Sequence, residues 1–259
     1  MSVMLLCLDI GNTIITFGLY EGDIIAHHWR IATEVHRTAD EYAVLVDSLF
    51  KLGEVKTQEM QAVCMVSVVP RLTGVFVELC QRYWHIDPLV VDAGVRTGVK
   101  IRTENPREVG ADRIVNTVAA YKRYGGPACV VDFSTATTFD AISDEGDYLG
   151  GAIAPGMGIA LEALSDRAAK LPKVEIARPP QAIGRNTIQS MQSGFLFGLV
   201  GLVEGMVVRF RRELGDEMNV IATGSLADMV ARETDVIQIL APWLTLDGLR
   251  WVYAMSKTQ

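Results

Sequence analysis

An aspartate that closes an apolar run and opens a short turn of small residues occurs twice in this chain. That repetition limits the possible folds more than any other feature. In the first copy Leu5-Leu6-Cys7-Leu8 ends in Asp9, Ile10-Gly11-Asn12-Thr13 follows, and Ile14-Ile15-Thr16-Phe17-Gly18-Leu19-Tyr20 resumes the apolar character. In the second, Ala128-Cys129-Val130-Val131 ends in Asp132, Phe133-Ser134-Thr135-Ala136-Thr137-Thr138 follows, and Phe139-Asp140-Ala141-Ile142 resumes it. Both copies then reach a Gly-Asp turn, Gly22-Asp23 and Gly146-Asp147, ahead of another strand. Short apolar runs bounded by turn residues read as buried strands. Either copy alone is an ordinary hairpin turn. Two copies with the aspartate at the same joint imply a duplicated unit. The small turn side chains leave backbone N–H groups open to phosphate oxygens, and an aspartate at a strand end can face a divalent metal directly or through water. Two such loops across a cleft would hold a polyphosphate and its metal from both sides.

The 259 residues allow one or two domains with ample core. With 49% hydrophobic and 21% charged residues the composition is that of a globular protein. A formal net charge of -7 and the lack of any Lys/Arg block argue against nucleic acid as a partner. The apolar start meets Asp9 too soon, and without a basic flank, to read as a signal peptide. Cys7, Cys64, Cys80 and Cys129 show no CxxC spacing, which fits reduced thiols in a cytoplasmic protein. His27, His28, His36 and His85 lack zinc-site spacing, so no zinc is expected.

Residues 1–33 read as three strands, the third from Ile24 to Ile31. Thr38-Ala39-Asp40-Glu41 has the form of a capping box opening a helix that Tyr42, Leu45, Val46, Leu49 and Phe50 continue. A strand is expected at Val63–Val66, a helix from Leu72 to Tyr83, a short strand at Leu89–Val91, and a loop over residues 92–106. The expected division is two closely joined lobes, 1–115 and 116–259.

Gly110-Ala111-Asp112-Arg113 opens a helix with apolar face Ile114, Val115, Val118, Ala119 and Tyr121. Asp112 in its first turn either complements the helix dipole or serves as a general base for a substrate hydroxyl. Arg113 is either a solvated surface residue or a clamp for a substrate anion. Gly150-Gly151-Ala152-Ile153-Ala154-Pro155-Gly156 permits close backbone approach and leads to a helix from about Gly158 to Lys170. A long apolar helix is expected from Thr187, a possible cap, to Glu213; Ser190, Gln192, Ser193 and Glu204 interrupt it, so a buried helix is favoured over a membrane span. Its Gly194, Gly198, Gly201 and Gly205 share one face, which would admit another helix within the subunit or across a dimer. Finally, Val220-Ile221-Ala222-Thr223-Gly224-Ser225 turns a strand into an amphipathic helix, where backbone can meet a flat ligand or a phosphate.

Two Asp loops followed by a strand-Gly-helix turn resemble the actin-like ATPase superfamily of sugar kinases, acetate kinases and chaperone ATPases. Within it the chain resembles type III pantothenate kinase over essentially its whole length. The carrying motifs are Asp9-Ile10-Gly11-Asn12-Thr13, Gly110-Ala111-Asp112-Arg113, Asp132-Phe133-Ser134-Thr135-Ala136-Thr137-Thr138 and Gly150 to Gly156, joined by Ala168-Ala169-Lys170-Leu171-Pro172 and Ser190-Met191-Gln192-Ser193-Gly194. The resemblance implies an α/β, duplicated ribonuclease H-like (actin-like ATPase) fold, with a mixed sheet flanked by helices in each lobe and a nucleotide cleft between them. It also implies ATP-dependent phosphorylation of pantothenate, the first step of coenzyme A biosynthesis, by a cytoplasmic homodimer that uses magnesium with potassium or ammonium and binds neither nucleic acid nor membrane.

By the same resemblance Asp112 matches the general base, and Gly110, Ala111, Asp112, Arg113 and Thr187 match pantothenate contacts. Asp9, Ile10, Gly11, Asn12, Thr13, Ile14, Ile15, Thr16 and Thr135 match nucleotide contacts. Asp132 matches the monovalent-cation ligand, and Asp9 a magnesium ligand through water. The chain departs from the family pattern at Ser134 and Ser225, where glycine is usual, at Ile14, often asparagine, at Thr103, often a substrate-contacting tyrosine, and at Asp92-Ala93-Gly94, usually Gly-Pro-Gly. These departures leave a non-catalytic nucleotide-binding or regulatory protein on the same fold as the alternative, and kinase action on another small alcohol as a third. Retention of Asp9, Asp112, Arg113 and Asp132 favours catalysis.

Overall fold

The computed structural model describes residues 4–92 and 95–257, so Ala93 and Gly94 of the 92–106 connection lie outside the described residues, as do the first three residues of the chain's start. In chain order the elements are β1 (Met4–Ile10), β2 (Ile14–Glu21), β3 (Ile24–Ala32), α1 (Ala39–Leu52), β4 (Ala62–Ser67), α2 (Pro70–Leu79), β5 (Leu89–Val90) and α3 (Ala111–Tyr124). They continue with β6 (Ala128–Phe133), β7 (Ala136–Ile142), β8 (Tyr148–Pro155), α4 (Met157–Arg167), α5 (Thr187–Leu214), β9 (Asn219–Gly224), α6 (Ala227–Ala231), β10 (Ile239–Leu240) and α7 (Leu244–Lys257).

The duplication is written in the sheets. One has the order β3-β2-β1-β4-β5 and the other, read from its β8 edge, β8-β7-β6-β9-β10. In each the Asp-ending strand pairs antiparallel with the next strand and parallel with the fourth. Asp9 stands opposite Thr16 and Val66, and Asp132 opposite Thr138 and Thr223, so the two aspartates hold equivalent positions. The Gly-Asp turns repeat as well, with Gly22 at φ +62 and Gly146 at φ +85, a backbone that a side chain disfavours.

The chain divides into two units, Met1–Val99 with Asn105–Ala119 and Leu244–Gln259, and Lys100–Glu104 with Ala120–Trp243. A single cut at 115/116 does not describe this division. Helices α1 and α2 cover one face of the first sheet, where Leu6, Leu8, Phe17, Tyr42, Val46, Phe50 and Phe76 form the core. Strand β1 is apolar on both faces, so its other face also needs cover, and α7 supplies it, with Leu244, Leu246, Leu249 and Val252 buried. Residue Gly18 of β2 gives room for Leu246, whose Cδ1 would lie 2.7 Å from a Cβ there. Lys100–Glu104 joins the second unit because Ile101 bridges Tyr148 on the edge strand β8, and Arg102 pairs with Asp147 at 2.7 Å. In that unit Val131, Phe133, Phe139, Val220 and Ala222 pack against Leu196, Val200, Val203 and Val207 of α5.

Local chemistry explains the element ends. Thr38 caps α1 in a complete capping box with Glu41. Helix α2 stops at Leu79, short of Tyr83, where the chain widens into a π-turn over Cys80–Trp84 closed by His85 at φ +55. Asn186, not Thr187, caps α5, its side chain accepting from the Gln189 N–H; an Asn side chain reaches that donor well. All four cysteines are buried free thiols, and burial pushes Cys64 and Cys80 up to about 12.

Helix α5 is long and apolar enough, by length and composition, to cross a membrane, with 39% of its most apolar window buried. Its buried residues Leu196, Leu199, Val200, Val203 and Val207 form one stripe against the second sheet. The glycine face lies elsewhere: a Cβ at Gly194, Gly198 or Gly201 would meet no neighbouring atom within 4 Å among the described residues.

Candidate active site

The β1–β2 turn is held from within. The Gly11 N–H donates to the Ile14 carbonyl at 3.1 Å, and a Cβ at Gly11 would come 2.9 Å from that oxygen. Thr33, just past β3, braces the turn, its hydroxyl donating to the Gly11 carbonyl at 2.7 Å and its N–H to the Thr13 carbonyl at 3.0 Å. Nothing local in the sequence marks Thr33 for this role. Strand alternation divides the 9–16 stretch: Ile10 and Ile15 are fully buried in the core, so only their backbone could touch a ligand, while Asn12, Thr13 and Ile14 stand exposed.

The β6–β7 turn has the same design. The Ser134 N–H donates to the Ala136 carbonyl at 3.0 Å, and the Ser134 hydroxyl to the same oxygen at 3.4 Å. The N–H groups of Gly11 and Ser134 are therefore spent inside their turns. Among the described residues Glu54 and His85 are the non-glycine residues at positive φ, so Ser134 stands on ordinary backbone and replaces glycine without strain. Ser225, the other such departure, donates from N–H and hydroxyl to the Phe133 carbonyl at 3.0 and 3.4 Å.

Two glycines lock this second turn. A Cβ at Gly156 would overlap the Thr135 carbonyl oxygen and come 2.7 Å from that of Ser134. At Gly224, φ +91, a Cβ would overlap the Phe133 carbonyl and lie 2.6 Å from Asp132 Oδ1. The Thr-Gly-Ser turn is thus packed directly on the aspartate. The helix that follows it, α6, is only five residues long, so the expected amphipathic helix is a single short turn.

Asp112 lies in the first turn of α3, half-buried. Gly110 makes room for it, since a Cβ there would overlap Asp112 Oδ1. Burial pushes the Asp112 carboxyl up from 3.8, while the Arg113 N–H, the Arg113 guanidinium and its own N–H pull it down. Dipole complementation alone would not require a carboxylate to be partly buried, and a desolvated carboxylate at a helix start is what a general base requires. With Asp112 in the general-base role that the family resemblance implies, Gly110→Ala is expected to lower kcat about tenfold, because a displaced base loses alignment. Its Tm should stay near that of wild type, as the crowded atom ends a flexible side chain; steady-state kinetics beside a thermal melt checks this, and an unchanged kcat would sink it.

Thr187 begins α5 and lines a cavity of about 320 Å³ with Ser190, Met191 and Phe195 of α5, Leu164 of α4 and Leu171. The Thr103 hydroxyl is buried with no hydrogen-bond partner among the described residues. Residues 9–16 and 110–113 belong to the first unit, and Asp132, Thr135 and Thr187 to the second. Among the described residues no three His, Cys, Asp or Glu side chains gather as a metal cluster.

Two copies of one mixed five-stranded sheet, each with an aspartate at the same strand end, define a protein of the actin-like ATPase and sugar kinase fold. A structure of this fold, the activator of 2-hydroxyisocaproyl-CoA dehydratase from Clostridium difficile with bound ADPNP, matches with a TM-score of 0.54 and 10% identity over 100% of this chain and 97% of that one. A conserved candidate Baf family transcriptional activator from Campylobacter jejuni matches with a TM-score of 0.64 and 18% identity over 98% of this chain and 100% of that one. Residues 5–209 match the type III pantothenate kinase family. The type III pantothenate kinase of Roseiflexus castenholzii is 52% identical over 98% of this chain and 100% of its own length. The chain belongs to the type III pantothenate kinase family.

Proposed function

We propose that this protein transfers the γ-phosphoryl group of ATP to the primary hydroxyl of pantothenate, giving 4'-phosphopantothenate and ADP, the first step of coenzyme A biosynthesis. The observation that carries this reading is Asp112, half-buried at the start of α3 over a glycine, in a chain of the pantothenate kinase family. Asp112 takes the hydroxyl proton, the freed oxygen attacks the γ-phosphorus, and ADP leaves with the electron pair of the broken P–O bond. Such a transfer needs alignment and charge neutralisation more than covalent help.

Arg113 pairs with the pantothenate carboxylate, and Gly110, Ala111 and Thr187 complete the acceptor contacts. The nucleotide is met by the 9–16 turn and Thr135, through the outward Asn12 and Thr13 and backbone groups other than the N–H of Gly11 and Ser134. The donor set suits hard cations: Asp9 offers one carboxylate for magnesium through water, and Asp132, with no side chain at Gly224 beside it, offers oxygen to potassium or ammonium. Bound cations offset the charge on the phosphate oxygens.

The homodimer reading is supported by α5, whose open glycine face and exposed Ile188, Leu202 and Val208 suit a second copy. The four buried free thiols and the family's substrates support a cytoplasmic setting.

The test is ADP release by the purified protein with ATP and magnesium, with and without pantothenate, in potassium and then sodium buffer, after sizing by light scattering. Release that needs pantothenate and rises with potassium is expected. A folded dimer that binds ATP but releases no ADP would replace this reading with that of a non-catalytic regulatory protein.

A further inference from the structure

Helix α7 carries none of the family motifs, and it touches α3 at the turn that follows Asp112. Gly248 sits against the Val115 carbonyl, which a Cβ would overlap, and 2.6 Å from the position that a Cβ would take lies Val115 Cγ1. Three residues earlier, on the same face of α7, the Thr245 hydroxyl donates to Asn116 Oδ1 at 2.8 Å. Asn116 is 1% exposed and follows Asp112 by four residues, hence lies on the same side of α3. The other flank of α7 is tied to β2: the Tyr20 hydroxyl donates to Asp247 Oδ1 at 2.7 Å, and Arg250 pairs with Asp23 and stacks over the Tyr20 ring at 5.7 Å. Strand β2 is the strand that leaves the Asp9 turn.

We infer that α7 is a strut and Thr245 and Asn116 are positioning residues: they fix α3, and with it the Asp112 carboxylate, against the β1–β2 hairpin. Val115 meets α7 by a close backbone approach at Gly248 and Asn116 by a part-buried hydrogen bond from Thr245, two contacts that oppose sliding and rotation of α3 on α7. A general base loses rate steeply when displaced by a fraction of an ångström. The sequence separation of the partners, Asn116 from Thr245 and Tyr20 from Asp247, explains why no local motif marks them.

The test compares full-length Thr245→Val and Thr245→Ser with wild type by hydrogen exchange and by steady-state kinetics. In Thr245→Val the amides of Arg113 to Asn116 are expected to exchange at least about tenfold faster while the β-sheet amides keep their protection. The kinetic arm, which rests on the kinase reading, should show kcat down about tenfold with KM for ATP and pantothenate within about twofold, and Thr245→Ser should restore both readouts. Unchanged exchange in α3, or equal losses in kcat and in sheet protection that serine does not rescue, would overturn the inference. An inactive wild type would remove the kinase reading alone, since the exchange arm still decides whether α7 holds α3.

Discussion

Asp112→Asn is expected to lower kcat by about 10²–10⁴-fold, the range supplied by a positioned general base. The asparagine keeps the shape and can accept one N–H bond, so KM for pantothenate should stay within about threefold. The same residue sets the acid limb of the rate. Its carboxyl is pushed above 3.8 by burial in the free protein, so kcat/KM should fall as pH drops through a value higher than that of an ordinary aspartate. The linkage sign runs against stability. A carboxyl with a raised pKa binds its proton more tightly folded than unfolded, so the ionised form costs stability at neutral pH, and that cost vanishes as pH falls through the folded pKa. Asp112→Asn removes the ionised carboxylate, and at about pH 7 its Tm should equal or exceed that of wild type. A variant that is both slower and clearly less stable would make Asp112 a structural cap instead of a base.

Gly224→Ala carries the second large effect. The backbone at φ +91 disfavours any side chain, a new Cβ would overlap the Phe133 carbonyl, and Asp132 Oδ1 lies 2.6 Å away. Backbone strain of this kind costs roughly 1–3 kcal/mol before any clash, so a Tm lowered by roughly 5–10 °C is expected. The obstructing atom at Phe133 is backbone in the middle of a sheet, paired with β7 and β9, and cannot move aside as the Asp112 carboxylate can. Because Asp132 must turn away, activity that survives should lose its response to potassium. Calorimetry with ADP release in potassium and sodium checks both parts; a Tm within about 2 °C of wild type with the potassium response intact would refute the reading.

The contrast between Gly110 and Gly224 marks how far sequence carries. Both belong to recognisable motifs, yet one glycine spares a carboxylate tip and the other a carbonyl, which only the neighbours reveal. The strands and both Asp joints were legible because period-two alternation and turn residues act over a few positions. Ser134 was legible as a departure, but its harmlessness came from a backbone angle and a bond to Ala136. The same holds at the start of α5, where both Asn186 and Thr187 have capping side chains and the helix uses the first.

By itself the sequence determined the duplicated strand–turn–strand unit, the aspartates at its joints, the carboxylate at the start of α3 and the family. Those properties reside in short segments whose chemistry is read from adjacent residues. Tertiary packing alone shows that α7 returns to the first sheet, that Thr33 braces the first turn, that Thr245 meets Asn116, and that Gly194, Gly198 and Gly201 of α5 stay uncovered among the described residues. Each joins residues far apart in the chain or depends on what faces a surface. Burial of the apolar second face of β1 brings α7 back, and no local pattern encodes which distant helix will cover it.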